Sequence, residues 1–419
     1  MRALLLLAGV IGAGSAATAA GMLTSTHGNV TVDAAARTRD DSRPGPDSAR
    51  VAMLLDAISR TDPAVCEMLS DQIGNFWNSS GEWGIGELSD ARPGVRAAKD
   101  SISGQVRDPA AIRQLVARLS SDDPCVRRTA ARMLGGSTIS DEALGKLLDD
   151  PSPRVREAAL LAIGHDERPA LRARVERMLR SDDVSLVAMA AWTLGELEDH
   201  ESVGSLQGLL DHASPRVRMT AAWALGEIED AHAVRALLPL LRDRETGVRW
   251  AAAGALGNLE SAEAAPALEQ LLGNEPDRLV RLQSIEALGN IEAARSAAPL
   301  ARVVAGNDSE LSLAAAEAIG NLDDLDHAPP ELMRAASSPD RRIRRAVVSA
   351  LANIEDPTSI AVLLPLLTDA DPDIRRDAIE ALGEMKAQQA KPGITRALGD
   401  KEPEVRKAAV EALAELEDQ

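Results

Sequence analysis

The sequence predicts an all-α protein, a right-handed α-solenoid built from about a dozen tandem two-helix repeats. The first observation is that the segment Ala-Trp-Ala-Leu-Gly at residues 222–226 recurs in recognisable form along the 419-residue chain. The second observation is the composition. Hydrophobic residues make up 45% of the chain, yet Tyr is absent and Phe occurs once. Such a chain cannot build a large aromatic core, but its Ala and Leu suit thin layers of closely packed helices.

The last residue of the recurring segment, which we call the marker, returns about every 31 residues. The intervals stay between 29 and 32 residues over eleven repeats of the pattern. A period this steady is typical of a stacked repeat. The markers are Gly74, Gly104, Gly135, Gly164, Gly195, Gly226, Gly257, Gly289, Gly320, Ala352, Gly383 and Ala414.

Each repeat contains two helical patterns. Val234, Leu237, Leu238 and Leu241 follow the i, i+3, i+4, i+7 spacing, which predicts a first helix with one apolar stripe. Asp or Ser stands twelve residues before most markers, where its side-chain oxygen can cap the second helix. Pro follows this position in seven repeats, where its missing N–H does no harm. The second helix is therefore expected to run about three turns and end near the marker.

Arginine stands eight residues before the marker in nine of the twelve repeats. Because it recurs in step with the period, a structural role is favoured over anion binding. One turn into each second helix, it can reach the acidic cap of a neighbouring repeat, which predicts a ladder along the stack. The arginines are Arg96, Arg127, Arg156, Arg218, Arg249, Arg281, Arg344, Arg375 and Arg406.

The pattern of Asp-Pro, Val-Arg, Ala-Ala and Ala-Leu-Gly near this period resembles HEAT repeats, of the short type named after phycobilisome lyases. The resemblance covers residues 107–419 well and residues 48–106 in degenerate form. It implies a right-handed superhelix whose second helices line the concave face, and it implies little about chemistry. The HEAT-like deoxyhypusine hydroxylases carry His-Glu pairs on inner helices. The His-Glu dipeptide here, at His200, falls in a turn, so that activity is not expected.

The chain begins with a segment typical of a secretory signal peptide. No charge occurs between Ala3 and Leu23, and small residues precede an expected cleavage near Ala19 or Ala20. We expect residues 1–20 to be removed and the protein to be periplasmic or secreted. An uncleaved membrane anchor is the alternative, since the uncharged run is long enough to span a bilayer.

Residues 21–47 are polar and predict a flexible linker. Residues 48–106 predict degenerate repeats or a cap, interrupted at residues 75–88 by a glycine-rich loop with Phe76, Trp77 and Trp83. This loop is expected to cover the end of the stack or to bind a ligand.

The two cysteines, Cys66 and Cys125, lie two repeats apart in the pattern. Stacked helices then separate them by about 20 Å, whereas a disulfide needs Cα atoms within about 7 Å. A bond would require the first repeat to fold back, and whether the two pair stays open at this stage.

The composition argues against several functional classes. A net charge of −19 disfavours binding to nucleic acid or to an anionic membrane surface. The six histidines lack the i, i+4 partners of a helical metal site, and neither a phosphate-binding loop nor a nucleophile elbow occurs. We therefore expect no catalytic, metal or cofactor site.

The feature that predicts function is a stripe on the second helices. Positions seven and three residues before the marker share one face, and in the last repeats they are polar, as with Arg345 and Ser349. In the middle repeats one or both of them are apolar, and an exposed apolar patch containing Trp is typical of a partner site. The predicted partner-binding residues are Trp192, Met219, Trp223, Trp250, Leu282 and Leu313.

The alternative for this stripe is structural, with the rings stacked between repeats to stiffen the array. The predicted function is an exported, non-catalytic scaffold that binds a protein or peptide on its concave face. Two other functions stay open: an accessory role in chromophore or cofactor attachment, which the lyase-named repeats suggest, and a structural spacer.

Overall fold

The computed structural model describes residues 46–59 and 105–417. Within these ranges every regular element is helical and no strand occurs, which confirms the all-α solenoid. The expected signal peptide, most of the linker, Cys66, Arg96 and the glycine-rich loop lie outside the described residues.

Helix α1 covers Ser48–Ile58 and precedes ten described helix pairs. The first helices of these pairs are short, and several begin or end in a 3-10 turn. They are α2 (Pro109–Arg118), α4 (Asp141–Lys146), α6 (Arg172–Met178), α8 (Val203–Gln207), α10 (Val234–Leu237), α12 (Ala265–Asn274), α14 (Ala297–Val304), α16 (Pro330–Ala335), α18 (Ile360–Leu363) and α20 (Lys391–Ala397).

The second helices are longer and end at or just beyond the markers. They are α3 (Pro124–Gly135), α5 (Pro153–His165), α7 (Val184–Glu196), α9 (Pro215–Glu227), α11 (Thr246–Asn258), α13 (Arg278–Asn290), α15 (Ser309–Gly320), α17 (Arg341–Ile354), α19 (Pro372–Glu384) and α21 (Pro403–Glu417). Two helices per marker interval from residue 107 onward is the predicted arrangement.

Side-chain caps begin most of the second helices. The carboxylate of Asp277 accepts hydrogen bonds from two first-turn amides of α13, and Asp308 does the same for α15. Asp123, Asp183, Asp340 and Asp371 also accept from backbone amides. Each such cap satisfies an amide that has no partner within the helix.

The marker glycines let neighbouring second helices approach closely. A Cβ atom at Gly226 would lie 2.6 Å from the Cα of Ala255, and one at Gly257 would lie 2.8 Å from the Cα of Ala287. These distances are shorter than side-chain atoms tolerate, so the packing requires glycine at these two markers. The periodic glycine thus follows from the contact between repeats.

The described residues form two compact units, which divide between Ser205 and Leu206. In the first unit α3, α5 and α7 pack in sequence. In the second unit each second helix packs on the next, from α9 to α21. Alanine and leucine of these helices form the core; Ala252, Leu256 and Leu288, for example, are fully buried.

Candidate partner-binding surface

Arginines of the second unit bind carboxylates of the following repeat. Arg218 donates from Nε and Nη2 to Asp243 at 2.8 and 2.9 Å, and its Nη1 donates to the carbonyl of His212 at 2.8 Å. The pairs Arg249–Glu275, Arg344–Asp369 and Arg375–Asp400 have the same two-point geometry. Planar two-point contacts of this kind are the stronger form of ion pair.

The acceptor differs from the helix cap that the sequence predicted. It is the residue two positions before the cap, and it also binds the backbone: Asp243 accepts from the amide of Glu245, and Glu275 from that of Asp277. This second bond fixes the carboxylate toward the arginine of the preceding repeat. The cap carboxylates Asp308 and Asp371 accept from amides of their own helices and also bind Arg278 and Arg341 of the preceding repeats.

Among the described residues, four other predicted ladder arginines form no such pair. Arg127, Arg156 and Arg406 donate to carbonyls of the loop before their own helix. At the acceptor position for Arg281 the sequence has Gly306, which carries no carboxylate. The ladder of ion pairs is therefore interrupted rather than continuous.

Three of the six predicted partner-binding residues are buried. Trp192, Met219 and Trp223 are 6%, 4% and 8% exposed. A Cβ atom at Gly164 would lie 2.9 Å from Cζ3 of Trp192, so that ring covers the marker of the preceding repeat. The expectation that these side chains are exposed was wrong, because they pack within the array.

Trp250, Leu282 and Leu313 are half-buried on α11, α13 and α15. Sequence reasoning missed Leu279, which is 47% exposed and lies three residues before Leu282 on the same side of α13. The i, i+3 spacing could have identified it.

Leu279 and Trp250 occupy positions that lie next to each other in two other pairs of neighbouring repeats. Contacts between neighbouring repeats define the register. The residue ten positions before a marker lies next to the residue seven positions before the marker of the preceding repeat. Arg345 and Asp373 occupy these two positions and are 3.9 Å apart, and a Cβ atom at Gly247 would lie 3.2 Å from Sδ of Met219. We call Trp250, Leu279, Leu282 and Leu313 the Trp250 patch.

Two carboxylates lie one helical turn beyond the leucines of this patch. Glu286 follows Leu282 on α13, and Glu317 follows Leu313 on α15, each by four residues. Both side chains reach solvent, but burial raises the pKa of each above its ordinary value. Within the described part of the chain neither forms an ion pair, and Gln283 donates a hydrogen bond to Glu286 at 3.1 Å.

The same two positions on the last helices carry paired charges. On α19, Arg376 lies 3.8 Å from Glu380 and also binds Asp377. On α21, Lys407 lies 3.6 Å from Glu411. The face is therefore apolar and acidic around α11–α15, and polar with internal ion pairs farther along.

Cys125 is disulfide-bonded. The chain contains one other cysteine, Cys66, which lies outside the described residues. The two-repeat separation that argued against a bond for Cys125 assumed a regular first repeat, and residues 48–106 have the pattern only in degenerate form.

Neither a metal site nor a membrane span is found among residues 46–59 and 105–417. No group of three His, Cys, Asp or Glu residues there could hold a metal ion. No helix of that part is long and apolar enough to cross a bilayer.

Paired helices with closely packed second helices define the protein as an α-solenoid. A family model described as HEAT repeats matches residues 141–213, 204–289, 296–377 and 360–419, which is more than half of the chain. The chain belongs to the HEAT-repeat family.

Three solved structures are similar to this chain at low sequence identity. An engineered protein is 22% identical, with a TM-score of 0.49 and coverage of 73% of this chain and 98% of that chain. The Escherichia coli protein YibA is 18% identical, with a TM-score of 0.41 and coverage of 67% and 93%. Human deoxyhypusine hydroxylase, in complex with glycerol, is 21% identical, with a TM-score of 0.28 and coverage of 66% and 96%. None of the curated proteins matches this sequence.

Proposed function

We propose that the protein is an exported, non-catalytic HEAT-repeat scaffold that binds a protein or peptide partner at the Trp250 patch. The observation that carries the proposal is the nearly half-exposed Leu279, at the position that the register of neighbouring repeats sets beside the half-buried Trp250. We also assign the repeats to the short type named after phycobilisome lyases, on their period of about 31 residues.

The energetics favour this surface over the buried tryptophans. Apolar area removed from water stabilises a complex by about 25 cal/mol per Å², and a partner can cover only area that the free protein exposes. Trp192 and Trp223 have little left to cover. Tryptophan is enriched in interface hot spots, so Trp250 is the residue of the patch expected to contribute most to binding.

Affinity capture with matched variants tests the proposal. Leu279→Asp places a charge in the patch, whereas Val410→Asp places one on α21 at a side chain that is 59% exposed. Both substitutions are at the surface, so both variants should melt close to the wild type. We expect a partner to be recovered with the wild type and Val410→Asp and lost with Leu279→Asp. Equal recovery with both variants would refute a site at the patch.

Export is proposed from two features. Residues 1–20 are typical of a signal peptide, and the disulfide bond at Cys125 suits an oxidising compartment. Cleavage would give a mature chain that begins near Gly21. Intact-mass measurement on protein from the envelope or medium checks this, and a mass that includes Met1 would favour the anchored alternative.

A further inference from the structure

The partner of the Trp250 patch can be described from the charges beside it. The second helices can be compared with one another at the two positions seven and three residues before the marker. These positions hold different pairs of residues in different repeats. They are Leu and Glu on α13 and α15, and Arg or Lys and Glu on α19 and α21.

On α19 and α21 the carboxylate has a cation on its own helix. Glu380 lies 3.8 Å from Arg376, and Glu411 lies 3.6 Å from Lys407. On α13 and α15 leucine replaces that cation, and the glutamate stays. Glu286 and Glu317 therefore stand next to apolar surface without an ion-pair partner among the described residues.

Two basic side chains of α17 are already engaged in ion pairs. Arg342, on the adjacent α17, binds Glu310 at 2.9 Å and Asp340 at 2.9 Å. Arg345 binds Asp377 at 3.1 Å. Among the described residues, no basic side chain forms an ion pair with Glu286 or Glu317.

A carboxylate beside apolar surface loses hydration without gaining a charge partner, which is unfavourable. Burial correspondingly raises the pKa of both groups. A cation brought by a partner would relieve this and form a charge-assisted hydrogen bond. The overall charge of −19 would also attract a basic segment over longer distances.

We infer that the partner is a cationic amphipathic peptide segment, whose apolar side chains cover the Trp250 patch and whose Lys or Arg residues pair with Glu286 and Glu317. This rests on the proposed function, since the patch supplies the apolar contact. The two carboxylates lie on adjacent helices, about 8–10 Å apart, so two basic side chains can bind at once.

A random-peptide display selection tests this with four proteins in parallel. They are the wild type, Glu286→Gln/Glu317→Gln, the control Glu380→Gln/Glu411→Gln, and Trp250→Ala. Glutamine preserves the shape of glutamate and removes its charge. We expect peptides enriched on the wild type and on the control to combine apolar residues with Lys or Arg, and the basic residues to be lost on Glu286→Gln/Glu317→Gln.

An enriched peptide is then compared with the same peptide in which citrulline replaces arginine. The citrulline form should bind the wild type about tenfold more weakly, and the two forms should bind Glu286→Gln/Glu317→Gln alike. Enriched peptides without basic residues, or equal binding of both forms to the wild type, would overturn the inference and leave the patch itself intact. If no peptide is enriched on the wild type over Trp250→Ala, the proposed function fails as well.

Discussion

Three consecutive repeats carry tryptophan on the second-helix face, yet the side chains have different environments. Trp192 and Trp223 stand three residues before the marker and are buried, whereas Trp250 stands seven before it and is half-buried. In the first unit, Trp192 covers Gly164. Position in the repeat does not set this difference alone, because Met219 also stands seven residues before its marker and is buried. Contacts between repeats decide it, and a single repeat sequence does not reveal them.

Truncating these tryptophans should therefore have unequal effects on stability. Trp192→Ala would leave a cavity over Gly164 and is expected to lower the free energy of unfolding by about 3–5 kcal/mol. Trp250→Ala removes a partly solvated ring and should lower the free energy of unfolding by clearly less. Urea denaturation of both variants measures this, and an equal loss for the two would contradict the assigned environments.

The marker glycines give a second residue-scale prediction. Gly226→Ala would bring Cβ to 2.6 Å from the Cα of Ala255, so we expect a loss of about 1–3 kcal/mol. Gly273, on α12, has nothing within 4 Å of such an atom. There alanine should stabilise by up to about 1 kcal/mol through helix propensity. Thermal melts that shift in the same direction for both would refute the close-approach argument.

At the scale of the elements, the ion pairs between repeats link one second helix to the loop that begins the next. Glu275 is 8% exposed and binds Arg249 through both oxygens. The pair Arg235–Glu263 also joins neighbouring repeats at 3.1 Å but is largely exposed. Buried and exposed pairs of the same chemistry can therefore be compared.

Glu275→Gln should lower the free energy of unfolding at pH 7 by about 1–3 kcal/mol, because a buried charged hydrogen bond is lost. Glu263→Gln should change it by less than about 1 kcal/mol. Denaturant titrations provide both values. Similar losses for the two would indicate that burial of the pair is unimportant.

The same pair predicts a pH dependence. The hydrogen bond from Arg249, opposed by burial, lowers the pKa of Glu275 below its ordinary 4.5. A carboxyl group whose pKa is lower in the folded state than in the unfolded state stabilises the fold at pH values above its unfolded-state pKa. This stabilisation is lost as the pH falls through the folded-state pKa. The advantage of the wild type over Glu275→Gln should be full at pH 7 and shrink below about pH 4.5. An advantage that grows in acid would contradict the assignment.

At the scale of the whole molecule, stacked repeats should depend mainly on their nearest neighbours. Truncation after Ile354 removes α18 to α21 and deprives Arg344 of Asp369. We expect hydrogen-exchange protection to fall in α17 and to stay unchanged in α9 and α11. A uniform loss across the second unit would indicate that the array unfolds as one cooperative body.

The sequence predicts the helices well because their signals are local and repeated. Asp277 and Asp308 cap helices where the spacing places them, and the markers lie at the helix ends. The surface is predicted less well, because exposure depends on contacts between repeats. Trp223 and Leu279 show this most clearly: the first was expected to be exposed and is buried, and the second was missed.

Site-specific photocrosslinking tests most directly whether the Trp250 patch contacts a partner. A photoreactive amino acid is placed at position 279 or, as a control, at position 410, and the protein is irradiated in living cells. We predict one discrete crosslinked product from position 279, which disappears when Trp250→Ala is added, and none from position 410. Absence of a product at position 279, or the same products from both positions, would contradict the claim.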